Sequence, residues 1–86
     1  MKQFQYTVKD PLGIHARPAA LLAAAANAFT TATVTVTKDG QTVRASQLMR
    51  LMDLAVKQDD TVTVTADGPA EVEAIAMMQR FFEENL

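Results

Sequence analysis

The sequence predicts an α+β open-faced β-sandwich: a four-stranded antiparallel sheet with three helices on one face, in the order β-α-β-β-α-β-α. Two segments, Thr33-Val34-Thr35-Val36-Thr37 and Thr61-Val62-Thr63-Val64-Thr65, alternate strictly between threonine and valine. That two-residue period belongs to strands with one dry face and one wet face. The run from Ala16 to Phe29 is almost entirely helix-forming and carries Ala19, Leu22, Ala26 and Phe29 on one stripe. Because each strand has a single apolar side, all three helices are expected to cover that same side.

Each element follows in order. Phe4, Tyr6 and Val8 alternate with polar residues as a first strand, and the turn-forming Asp10-Pro11-Leu12-Gly13 ends it. The first helix begins at about His15 or Ala16. Pro18 then falls in the first turn, where its missing N–H costs nothing. After the second strand, Asp39-Gly40 makes a hairpin into Gln41-Thr42-Val43-Arg44. Leu48, Met49, Leu51, Met52 and Leu54 follow at helical spacing in a short segment. Beyond the fourth strand, Gly68-Pro69 opens a last helix whose stripe is read as Val72, Ile75, Met78 and Phe82. Met77 and Phe81 fall on the opposite side, with no role assigned by the pattern.

With 86 residues, 49% of them apolar, residues 1–86 are expected to form a single domain with one core and little room for a deep cleft. The net charge of −2 and the scattered lysines and arginines show no basic stripe of the kind that binds nucleic acid. Cysteine is absent, so no thiolate nucleophile, disulfide frame or cysteine metal site can form. No metal or cofactor is expected. The N-terminus lacks the apolar run of a signal peptide, and no stretch suits a bilayer span, which leads to the expectation of a cytoplasmic protein without membrane insertion.

The chemically informative segment is Gly13-Ile14-His15-Ala16-Arg17-Pro18. It places the only histidine at the start of the first helix, where unpartnered N–H groups and the helix dipole favour a phosphate. Arg17 adds a planar cation that can pair with phosphate oxygens. A neutral imidazole nitrogen is a nucleophile for phosphorus. Taken alone, these residues leave open whether the site binds an anion or carries a phosphoryl group. A histidine beside a turn is more often an ordinary capping or surface residue.

The segment through Ala19 resembles the active-site motif of the histidine-containing phosphocarrier (HPr) family of the bacterial sugar phosphotransferase system. The Asp39-Gly40 hairpin, the Leu48-Met49 segment, the Thr61–Thr65 strand and the final helix recur in the family's order, so the resemblance spans nearly the whole chain. It implies the same open-faced sandwich. It also implies that His15 is phosphorylated on Nδ1 by enzyme I, with phosphoenolpyruvate as the original donor. The phosphoryl group then passes to the A component of a sugar permease. Arg17 and the backbone of Ala16 and Arg17 would steady the phosphate. Such proteins are carriers rather than enzymes, and the simplest working form is a monomer. Leu51 and Leu54 are read as core, whereas Leu48, Met49 and Met52, with Ala20 and Arg50, are implied to dock partners. Methionine suits a surface that meets several of them.

The chain departs from the family's pattern in places. Relatives in many Gram-positive bacteria carry a serine at the head of the second helix, which a kinase phosphorylates to recruit a transcription regulator. Ser46 is the candidate here. Alignment on Leu48-Met49 instead puts Gln47 at that position, because of one extra residue between Phe29 and Gly40, and leaves Ser46 as a helix cap. Leu12 stands where many relatives have a small polar residue, and Ala55 and Asp59 replace common glycines. Asp59-Asp60 reads as a solvated turn rather than an acid–base pair. Two other readings use the same fold: a regulatory docking module, whose members can lack the histidine, and a carrier in a nitrogen- or dihydroxyacetone-related relay. A hydrolytic or metal-dependent enzyme is a poor fit to one histidine and no cysteine.

Overall fold

The computed structural model describes all 86 residues. The elements are β1 (Lys2–Thr7), α1 (Ala16–Asn27), β2 (Thr33–Lys38), β3 (Gln41–Arg44), α2 (Leu48–Asp53), β4 (Thr61–Asp67) and α3 (Glu71–Asn85). They form one antiparallel sheet in the order β1-β4-β2-β3. Consecutive strands pair only in the β2–β3 hairpin. β4 enters between β1 and β2, so the last strand of the chain joins the two halves of the sheet.

The valine and threonine registers agree across the sheet. Val36 stands opposite both Val43 and Val64, while Thr35 stands opposite Thr65 and Thr37 opposite Thr42 and Thr63. Val34, Val36, Val62, Val64 and Ala66 are buried under the helices with Ala19, Leu22, Ala26, Leu51, Leu54, Ala74, Met78 and Phe82. The other face keeps its hydroxyls in solvent, where Thr7 bonds Thr61 at 2.9 Å and Thr37 bonds Thr42 at 2.8 Å. Strict alternation therefore translates into a one-sided sandwich, as the sequence predicts.

β1 ends at Thr7, so Val8 lies just beyond the strand, and four further details differ from the pattern-based expectations. α1 ends at Asn27 rather than Phe29, because Ala28 and Phe29 donate to the carbonyls three residues back and tighten the last turn. β4 runs on to Asp67, since Ala66 still pairs with Lys2 and Val34. α3 opens at Glu71, two residues beyond Pro69: Gly68 takes φ 133° in a turn and its N–H donates to the Glu71 carboxylate at 3.4 Å. The buried stripe of α3 is Ala74, Met78 and Phe82; Ile75 is half-buried and Val72 is 59% exposed. The aromatic side chains of β1 set this rotation. Phe82 meets Phe4 and Tyr6 edge-on at 5.8 and 5.5 Å, and Phe81 packs edge-on against Phe82 at 6.2 Å. Phe81 thus belongs to the margin of the core, while Met77 remains exposed.

The loop from α2 to β4 replaces glycine flexibility with hydrogen bonds. Ala55 and Asp59 both take left-handed backbone, with φ of 56° and 73°. Asp60 accepts the Lys57 N–H at 2.9 Å and the Lys38 ammonium at 3.0 Å, and that ammonium also donates to the Ala55 carbonyl at 2.9 Å. Asp59 is an exposed turn residue, as the sequence reads it, whereas the Asp60 side chain is a structural clasp. The Lys57 N–H, and then Lys38, hold the Asp60 carboxyl below the usual carboxylate range.

Two outcomes follow from this loop. A left-handed alanine costs about 1–2 kcal/mol, part of which glycine's extra unfolded-state entropy offsets. Ala55→Gly should therefore raise stability by about 0.5–1 kcal/mol, seen as a Tm higher by roughly 2–8 °C. Asp60 has a depressed folded-state pKa, so its contribution is present above the ordinary carboxylate range and disappears as pH falls through the folded value. Urea titrations should show Asp60→Asn less stable than wild type at neutral pH, with the gap closing in strong acid.

Candidate functional site

The turn before α1 is built by close backbone approach. Gly13 has φ 67°, and a Cβ there would lie 2.2 Å from the Val56 carbonyl oxygen. The next residue, Ile14, is buried and donates its N–H to that same oxygen at 3.1 Å. His15 is consequently held as the N-cap of α1 in extended backbone (φ −92°, ψ −174°), its carbonyl accepting the Ala19 N–H at 2.9 Å. Its own N–H is used, donating to Gly13 at 3.1 Å.

His15 makes no side-chain cap bond, and its imidazole is about one-third exposed (36%). Beyond it come Ala16 and Arg17, the first residues of the helix, whose N–H groups have no intrahelical acceptor. Pro18, the third, has no N–H to offer and is buried. The free donors at this helix start are therefore those of Ala16 and Arg17, next to the imidazole. Arg17 is exposed and takes part in none of the chain's four ion pairs.

A shallow, open depression of ≈ 230 Å³ lies at this point, lined by Asp10, His15, Arg17, Pro18, Leu21, Glu84 and Asn85. Four of these were not singled out from the sequence. Leu21 is 46% exposed and shares a helix face with Arg17, a relation legible in its i+4 spacing. Asp10 reads as a turn residue in the sequence, and it does form that turn: Oδ1 accepts the Leu12 N–H at 2.8 Å. Its other oxygen, Oδ2, lies 4.0 Å from His15 Nε2. Glu84 and Asn85 arrive from the far end of the chain because the Leu86 carbonyl accepts the N–H groups of Lys9 and Asp10, at 2.6 and 2.9 Å. No periodicity announces such a contact.

α2 packs beside α1, and the Asn27 amide donates to the Ser46 carbonyl at 3.4 Å across their ends. Leu51 and Leu54 are buried, as read from the sequence. Met49 and Met52 are 69% and 40% exposed, Ala20 and Arg50 are exposed, and Leu48 is half-buried against the core. Leu12, beside the histidine loop, is 70% exposed. The N-cap of α2 is Gln47, in extended backbone, so the expectation that Ser46 caps this helix is corrected. The hairpin and the Ala45 N–H bonded to Val34 carry the chain one residue further before it turns helical, and Ser46 lies outside the cap, half-buried.

No group of three or more histidine, cysteine, aspartate or glutamate side chains is placed to hold a metal ion. No helix is long and apolar enough to cross a membrane.

Known proteins match the chain over nearly its whole length. Residues 2–84 match the family model described as the PTS HPr component phosphorylation site. The phosphocarrier protein HPr of Mycoplasma genitalium is 40% identical over 85 residues, covering 99% of this chain and 97% of that protein. The structure of a mycoplasma histidine-containing phosphocarrier protein superimposes with a TM-score of 0.92 at 28% identity, over 96% of this chain and 93% of the other. The HPr-like protein Crh of Bacillus subtilis is also 40% identical, over the whole of both chains. Its crystal structure, described as a swapped, intertwined dimer, gives a TM-score of 0.77 over 100% of this chain and 98% of the other. A lone, partly exposed histidine at the N-cap of a helix beside two free N–H groups, on a sandwich matched end to end by these relatives, leads to one assignment: the chain belongs to the HPr family of phosphotransferase-system phosphocarrier proteins.

Proposed function

We infer that this chain is a phosphoryl carrier in which His15 receives phosphate on Nδ1 and gives it up to a second protein. The observation that carries this reading is the place of His15: the only histidine, a third exposed, at a helix start whose first two N–H groups are unpaired. The Nδ1 lone pair attacks phosphorus, the Ala16 and Arg17 N–H groups and the Arg17 guanidinium offset the phosphate charge, and the shallow depression leaves the far side of the phosphorus open to a partner. A closed pocket would protect a phosphoryl group from transfer as well as from water. The open one suits a carrier whose partners supply the remainder of each active site.

The family relation supports enzyme I as the proposed donor, with phosphoenolpyruvate upstream, and the A components of sugar permeases as acceptors, in the cytoplasm. Met49 and Met52 of α2, with Leu48, Arg50 and Ala20, are the proposed docking residues, joined by Leu21 and Leu12 from their exposure. Residues 1–86 would act as one domain and, during transfer, as a monomer. The similarity to Crh favours one second reading, a regulatory docking role for the same surface. There, a serine kinase acting on Ser46 and a transcription regulator would be the partners.

The test is phosphoryl transfer from phosphoenolpyruvate through purified enzyme I, followed by intact mass. Wild type should gain one phosphate that survives mild base and is lost in mild acid, and His15→Ala should gain none. Phosphorylation that persists in His15→Ala, or none in wild type with several enzyme I homologues, would defeat the carrier reading. Met49→Asp should slow transfer by about tenfold or more, as the loss of an interface anchor does, while Tm stays within error because Met49 is exposed.

A further inference from the structure

The contact between Asp10 and His15 is unused by the chemistry described so far. Asp10 is tethered: its Oδ1 accepts the Leu12 N–H at 2.8 Å, and its own N–H donates to the Leu86 carbonyl at 2.9 Å. With the carboxylate anchored through one oxygen, the other is directed toward the imidazole, 4.0 Å from Nε2. His15 is equally constrained, since its backbone caps α1 and the preceding Ile14 is pinned to Val56. Two side chains on rigid backbone thus present an acceptor oxygen to one particular ring nitrogen.

We propose that Asp10 is a positioning residue, whose Oδ2 accepts the Nε2–H of His15 and so leaves the lone pair on Nδ1. The inference rests on the carrier reading and deepens it. The Nε2–Oδ2 separation in the resting protein is longer than a hydrogen bond. Such contacts tighten when charge develops on the ring. During transfer the Nδ1 lone pair forms the new N–P bond. The donor's bond to phosphorus breaks, and its electron pair leaves with the donor atom. The proton stays on Nε2, so the phosphorylated ring is cationic. Asp10 faces that new positive charge, and the same pairing in reverse steadies the ring as the phosphoryl group departs.

The substitution Asp10→Asn separates this role from a structural one. The Leu12 N–H continues to engage the amide oxygen, which leaves the NH₂ group facing His15. A donor there pairs with an unprotonated Nε2 and favours the opposite tautomer, with the proton on Nδ1. The Glu84 carboxylate lines the same depression and serves as the control.

The measurement is the tautomer of His15, read from long-range ¹⁵N–¹H NMR of the imidazole in alkaline buffer, where an ordinary histidine is neutral. Wild type and Glu84→Gln should show Nε2–H as the dominant form, and Asp10→Asn should show a population shifted toward Nδ1–H. Phosphoryl acceptance by Asp10→Asn should slow by about 10- to 100-fold, the scale seen when a metal-bound histidine loses its orienting partner. An unchanged tautomer in both Asp10→Asn and Asp10→Ala would overturn the proposal, as would a shifted tautomer with an unchanged transfer rate. The spectra need no phosphoryl donor. A chain that fails to accept phosphate while showing the expected tautomers therefore refutes the carrier reading, and that failure is distinct from a failure of the Asp10 contact.

Discussion

The approach of the Gly13 backbone to the Val56 carbonyl governs where α1 begins, and the site depends on that start. A side chain at position 13 would collide with this carbonyl, and the left-handed φ of 67° is easy only for glycine. The same carbonyl takes the Ile14 N–H, so one oxygen on the loop after α2 lies against Gly13 and holds Ile14 in the loop before α1. His15 then has nowhere to go but the N-cap. Because Val56 lies three residues past the end of α2, this contact also ties the histidine loop to the segment that carries Met49 and Met52. Nucleophile and proposed docking helix share an anchor.

The sheet provides the stiffness behind that anchor. Its core face is built from valine on β2, β3 and β4, a stiff β-branched side chain that suits a pleated half-buried surface, with Phe4 and Tyr6 on β1. β4 lies between β1 and β2, so the strand that follows the α2 loop is paired along both edges. That loop is held in turn by Asp60, which reaches Lys57 on its own loop and Lys38 on β2. The result is a platform under a site made from the loop before α1, the first turns of α1 and the last turn of α3. A carrier benefits from this division: the platform holds still while the imidazole stays open to one partner after another.

The electrostatics of the site are mixed rather than simply positive. The helix start and Arg17 attract a phosphate, while Asp10 and Glu84 border the same depression with negative charge. A wholly cationic nest would hold its phosphate and suit a binding protein. In the proposed carrier, such a balance of charges would leave the phosphoryl group transferable.

Strand and helix identities, the one-sided sandwich and the position of His15 at a helix start were legible in the sequence, because each depends on local periodicity or on the punctuation of Gly13 and Pro18. So were the buried Leu51 and Leu54. The rotation of α3 was not, since Phe4 and Tyr6 of a distant strand decide which side of that helix Phe82 presents. The cap of α2 moved from Ser46 to Gln47 because cross-strand pairing and the hairpin, not cap propensity, set where the chain turned helical. Asp10 beside His15, and Glu84 and Asn85 beside Arg17, came from backbone bonds that join Lys9 and Asp10 to Leu86. By itself the sequence determined which residue stands at a helix start suited to an anion, because the only imidazole, a cation and that helix start lie within consecutive positions. Only the tertiary structure decided which groups surround that residue, because hydrogen bonds between distant segments leave no period in the chain that forms them.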